Sequence, residues 1–73
     1  MDVKLADLPV KKTGIIKEVL ENEISSKLFE LGVLPGSNFI IVARAPLGGP
    51  ICIKIGNSLI VLRKKEAASI TIQ

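Results

Sequence analysis

The apolar positions of the chain fall into short blocks, and their spacing changes character once. Ile51, Ile53 and Ile55 alternate with Cys52 and Lys54, the period of two expected of a strand with one buried face. Gly56-Asn57 follows, a two-residue hairpin signal. Ser58 to Arg63 returns as a strand that is apolar on both faces through Leu59, Ile60, Val61 and Leu62. The spacing becomes helical at Ile24, Leu28 and Leu31, four and then three apart, which places all three on one helix face. Asn22 is the expected N-cap, with Glu23 in the first turn, where a negative charge suits the helix dipole. Gly32 follows the last residue of the stripe, where a left-handed residue ends a helix. Pro35-Gly36 then reads as a type II turn. A helix this short depends on docking, so its first role is to plug a small β core.

The remaining blocks read as strands. Gly14 to Leu20 is a first strand, with Ile15 and Val19 on one face across Lys17 and Glu18 on the other; the alternation is imperfect. Ser37 to Ala45 is a second strand, with Phe39, Ile41 and Ala43 on one face and Ile40, Val42 and Arg44 on the other. Two apolar faces predict a central strand, covered by the barrel interior on one side and by the helix on the other. Ala45-Pro46-Leu47-Gly48-Gly49-Pro50 is an irregular connection, since neither proline can donate to a ladder, and it leaves Leu47 at its tip. Arg63 to Ala68 predicts one helical turn, and Ser69 to Gln73 a last short strand with Ile70 and Ile72 inward. Met1 to Pro9 is a short lead in which Val3, Leu5 and Leu8 can pack. The sum is an all-β fold: a small five-stranded closed barrel, residues 1–73 as a single domain, with one short helix between the first and second strands. Closure matters because open edges on strands this apolar would aggregate.

Composition narrows the chemistry. The chain has 73 residues, 48% of them hydrophobic, a net charge of +3, one cysteine and no histidine. A chain this short buries only about 60% of its unfolded surface, so the core is expected to be aliphatic and dense. Phe29 and Phe39, the two aromatic residues, read as internal. A lone Cys52 forms no intrachain disulfide, which points to a reducing compartment and a cytoplasmic location. No apolar run approaches the roughly 20 residues that span a bilayer, and Asp2, Lys4 and Asp7 break up any leader-like opening.

The absence of histidine removes the commonest general base and metal ligand, and Cys52 sits mid-strand with no activating partner, so it reads as a half-buried filler. No enzyme activity and no cofactor are expected. Glu18, Glu21 and Glu23 cluster near the helix start but are too few oxygens for a specific hard-cation site. Gly48-Gly49 is not a phosphate loop, since no GK[ST] follows and no helix begins there. Arg44, Arg63, Lys64 and Lys65 could gather at one end of the barrel. Nucleic acid is the rival partner for such a patch, yet single-strand binders stack bases on exposed aromatics, and none is expected here.

Taken in order, Lys27-Leu28, Glu30-Leu31-Gly32-Val33-Leu34-Pro35-Gly36-Ser37, Ala45-Pro46-Leu47-Gly48, Pro50-Ile51 and Leu62-Arg63-Lys64-Lys65-Glu66-Ala67 resemble the FeoA family, small accessory proteins of bacterial ferrous iron transport. The resemblance implies an SH3-like barrel, a transition-metal transport context, and a partner, the membrane iron permease FeoB with its cytosolic GTP-binding domain. It implies a regulator, not a catalyst. Iron-dependent repressors carry a similar barrel; this sequence shows no helix-turn-helix, so a stand-alone relative of that domain is the nearest alternative. Gly49 stands where the family often has Asp, and Lys27 where it often has Arg. The contact surface expected from all this is Pro46, Leu47, Gly48 and Pro50 with Arg44, Arg63 and Lys64. No metal site is expected, and the two-faced apolar strands make weak self-association an additional expectation.

Overall fold

The computed structural model describes residues 3–73; the first two residues of the expected lead lie outside that range. The elements run β1 (Val3–Lys4), a 3-10 turn (Leu5–Asp7), β2 (Thr13–Val19), α1 (Ser25–Glu30), β3 (Asn38–Arg44), β4 (Ile51–Ile55), β5 (Ser58–Leu62), α2 (Lys64–Ala68) and β6 (Ile70–Ile72). All pairings are antiparallel, in the order β1-β6-β2-β3-β4-β5. β2 belongs to two sheets. Thr13 to Ile15 pair with β3, whereas Ile16 to Val19 pair with β6. The bend in this shared strand folds the two halves over one aliphatic core, which is the SH3-like arrangement. Six strands replace the expected five because Val3 and Lys4 pair with Ile72 and Thr71, a two-residue strand too short to stand out in the pattern. Among the described residues no ladder joins β1 to β5, so the barrel is not closed by hydrogen bonds and β5 is an edge.

The helix ends as its glycine predicts. The Gly32 amide donates to the Phe29 carbonyl (3.0 Å) and the Val33 amide to the Leu28 carbonyl (2.9 Å), with Gly32 at φ +96°. This is the paired bonding of a Schellman stop, and its hydrophobic contact is made by Leu28 and Val33, both fully buried. The Ser37 amide donates to the Leu34 carbonyl (3.0 Å) across Gly36 at φ +91°, the expected type II turn. The same turn is stitched to β2: the Gly36 amide donates to the Ile16 carbonyl (2.8 Å) and the Ile16 amide to the Ser37 carbonyl (2.9 Å). The helix start differs from expectation. Asn22 Oδ1 accepts from the Ile24 amide (2.9 Å), closing a side-chain turn ahead of the helix, which begins only at Ser25.

Several expectations about sidedness are corrected. In β2 the buried pair is Ile16 and Val19, while Ile15 is exposed. Ile16 pairs with Ile72 but Glu18 with Thr71, so Lys17 is an extra residue, and such a bulge shifts the inward-facing set by one position. The outer face of β3 is not covered by α1: Val42 is 43% exposed and lies in a second bulge between Ile41 and Ala43. Phe39 is buried, close to Gly14, where an added Cβ would lie 3.0 Å from its ring. Phe29, in contrast, is 39% exposed, and so is Leu31 at 43%, so that of the expected stripe Ile24, Leu28 and Leu31 only Leu28 is fully buried. β4 keeps the expected alternation, with Ile51 and Ile53 buried and Ile55 partly buried, whereas β5, expected to be covered on both faces, buries Ile60 and Leu62 and leaves Leu59 and Val61 exposed.

Candidate partner-binding surface

The connection between β3 and β4 is tied down at two points. The Ala45 amide donates to the Pro50 carbonyl (2.9 Å), and the Gly49 amide to the Pro46 carbonyl (3.2 Å). Between the latter pair, Leu47 has φ +59° and Gly48 φ +72°. Two successive positive φ angles are the pattern of a type I′ turn. Glycine adopts that geometry freely; leucine does so at a cost of about 1–2 kcal/mol. Leu47 gains no burial in return, being fully exposed (104%). Gly49 is fixed by crowding. A Cβ there would come within 2.7 Å of the Ala45 Cβ and 3.3 Å of the Pro46 carbonyl oxygen, so the familial Asp would not fit the backbone as it stands.

The basic residues do not gather. Lys64, the first residue of α2, runs along the loop, its ammonium nitrogen 3.6 Å from where a Cβ on Gly48 would lie. Arg63 is exposed, and its amide donates to Glu66 Oε1 (2.7 Å) at the start of α2. Arg44 is occupied elsewhere. Its guanidinium donates to the Leu8 carbonyl and, at 2.8 Å, to the Ala6 carbonyl, holding the segment whose Leu5 and Leu8 enter the core. Lys65 lines a different groove, with Asn22, Glu23 and Ile24. Lys27, at 3.6 Å, pairs with the buried Glu66 and links α1 to α2. The structure therefore brings Pro46, Leu47, Gly48 and Lys64 together and leaves Arg44 and Lys65 apart. Sequence reading could not foresee the role of Arg44, because its acceptors are backbone carbonyls at distant positions with no side-chain signature.

Other features offer less. A shallow groove of about 520 Å³ runs between β2, β3 and β4, lined in part by Ile15, Phe39, Ile40 and Lys54. Among the described residues no three His, Cys, Asp or Glu side chains are placed to share a metal ion. Among the described residues no helix is long and apolar enough to cross a membrane.

The fold and the loop define a small SH3-like barrel with a braced β3–β4 connection. The particular family follows from comparison. The FeoA domain model matches residues 3–73, and the chain belongs to the FeoA family, associated with ferrous iron transport. It is similar to iron(II) transport protein A from Clostridium thermocellum, with 42% identity and a TM-score of 0.89 over 97% of this chain and 44% of that one. It is also similar to the FeoA of Stenotrophomonas maltophilia, a zinc complex described as a prokaryotic SH3 domain protein, with 26% identity and a TM-score of 0.86 over 97% and 89% of the two chains. IdeR from T. acidophilum shares the fold, with a TM-score of 0.85 at 19% identity, over 99% of this chain and 33% of that one.

Proposed function

We propose that this chain is a cytoplasmic accessory protein that docks on the cytosolic part of the FeoB iron permease, its GTP-binding domain included, and regulates transport by contact without catalysing a reaction. The observation that carries this reading is Leu47. A fully exposed apolar side chain is held in a left-handed conformation by a twice-tied loop. Strain kept in a place where it brings no folding benefit points to a role outside the fold. A rigid apolar tip binds with little entropic loss, and Lys64 beside Gly48 adds a charge suited to an acidic rim. The contact surface is the Pro46–Pro50 loop with Lys64 and Arg63; Arg44 acts on the N-terminal segment instead. The rival nucleic-acid reading has only one exposed ring to rest on, Phe29 at 39%, with Phe39 buried, too little for a platform on which successive bases stack. The test is calorimetry with the purified GTP-binding domain, with and without nucleotide. Leu47→Ala should weaken binding about tenfold or more, the range of an interface anchor, and Lys64→Glu should slow association. Equal affinity of the wild type and the double variant would remove this surface assignment.

A further inference from the structure

The free edge of the sheet is β5, away from the β3–β4 loop. β5 pairs with β4 through Ile55↔Ser58, Ile53↔Ile60 and Ile51↔Leu62. A two-residue hairpin makes its first closing pair a hydrogen-bonded one, and such pairs alternate along the ladder. Ser58, Ile60 and Leu62 therefore bond inward to β4, and the amides and carbonyls of Leu59 and Val61 point away from it. Among the described residues no backbone hydrogen bond reaches these four groups. The same two residues hold the outward side-chain row, Leu59 at 65% and Val61 at 64% exposed. No charge, proline or bulge interrupts Ser58–Leu62, so the usual guards against edge pairing are missing.

We propose that the occupant of this edge is a second copy of the chain, paired antiparallel through β5 about a two-fold axis at Ile60. In that register Leu59 lies opposite Val61 of the second copy, and the reverse, so four main-chain hydrogen bonds form and two apolar cross-strand pairs are made. The charges permit it. Arg63 falls opposite Asn57 of the second copy, not opposite its own counterpart. The two Lys54 side chains, each one strand further in beside Leu59, stand three strand spacings apart, about 14 Å, beyond the screening length at physiological salt. An interface this small lies below the size of a stable dimer, so association should show only at high concentration.

The experiment is sedimentation equilibrium of the full chain up to millimolar concentration, with a parallel dilution series of amide spectra and amide exchange. A monomer–dimer equilibrium is expected, with concentration-dependent shifts and slowed exchange centred on Leu59 and Val61. Val61→Lys and, separately, Leu59→Lys replace exposed side chains and should keep the native circular dichroism while raising the dimer dissociation constant at least tenfold. A monomer mass throughout, a dimer indifferent to both lysines, or perturbed amides at the Leu47 loop would each overturn the proposal. So would a monomer that instead takes up an added extended apolar peptide on this edge. None of these results bears on permease binding by the loop.

Discussion

Replacing Leu47 by Asn should make the isolated protein more stable while making it a poorer partner. At φ +59° a leucine side chain crowds its own backbone, at a cost of about 1–2 kcal/mol. Asparagine tolerates this region through local hydrogen bonding and is favoured in type I′ turns. The exchange removes no buried contact, because Leu47 is fully exposed. Both loop hydrogen bonds, Ala45 to Pro50 and Gly49 to Pro46, are made by backbone and survive. The net gain is roughly 1 kcal/mol, and for a domain of this size that raises the melting temperature by about 4–8 °C. Leu47→Gly relieves the same crowding but frees the unfolded chain, which costs about 0.5–1 kcal/mol, so it should gain less than Asn. Thermal melts by circular dichroism, with urea titrations to compare slopes, measure both. If Leu47→Asn melts at or below the wild type, the leucine is not strained and the argument from it fails. In the calorimetry described above, the same variant should bind the GTP-binding domain more weakly, separating stability from recognition at a single position.

Arg44→Ala should destabilise the fold by about 1–3 kcal/mol, since two charge-assisted donations to the Leu8 and Ala6 carbonyls are lost; the acceptors are neutral, so the loss seen in urea melts should persist at high salt. Leu28→Ala, at a buried site, should cost about 2–5 kcal/mol. Its neighbour Phe29→Ala should cost only about 1–2 kcal/mol, because the ring is 39% exposed; equal urea midpoints for the two variants would contradict their placement. Gly49→Asp should destabilise by about 1–3 kcal/mol, as its Cβ would meet the Ala45 Cβ at 2.7 Å, and amide spectra should show the displacement confined to the 45–50 loop.

Features written in local chemistry were legible before the structure. The Gly32 stop, the Pro35-Gly36 turn, the Gly56-Asn57 hairpin and the alternation of β4 each depend on residues within a few positions of one another. What escaped reading depends on distant partners. The Lys17 bulge exchanges Ile15 for Ile16 in the core, and nothing near Lys17 announces it, because the misfit is against Thr71 and Ile72. The outer face of β3 looked covered because Ile40 and Val42 are apolar; α1 instead spends its buried apolar residue, Leu28, beside Val33. Phe29 and Leu31 are both half-exposed, because a helix this short lays a single turn on the core and Leu28 fills it. Of the expected contact residues, the loop was visible from its prolines and glycines. Arg44 was grouped with Arg63 and Lys64 by charge alone, and only the third dimension separates them.

The pairing of Val3 with Ile72 sets the two ends of the described chain on neighbouring strands, with Cα atoms about 5 Å apart. A linker of a few residues would join them, and the polypeptide could then be opened elsewhere, for example between Gly56 and Asn57, without breaking a ladder. Such a reordered protein would trade its most local strand pair for one spanning nearly the whole sequence. The same joining makes the β1–β6 pair local, so that pair should form early and β4–β5 late, while the folded barrel stays the same.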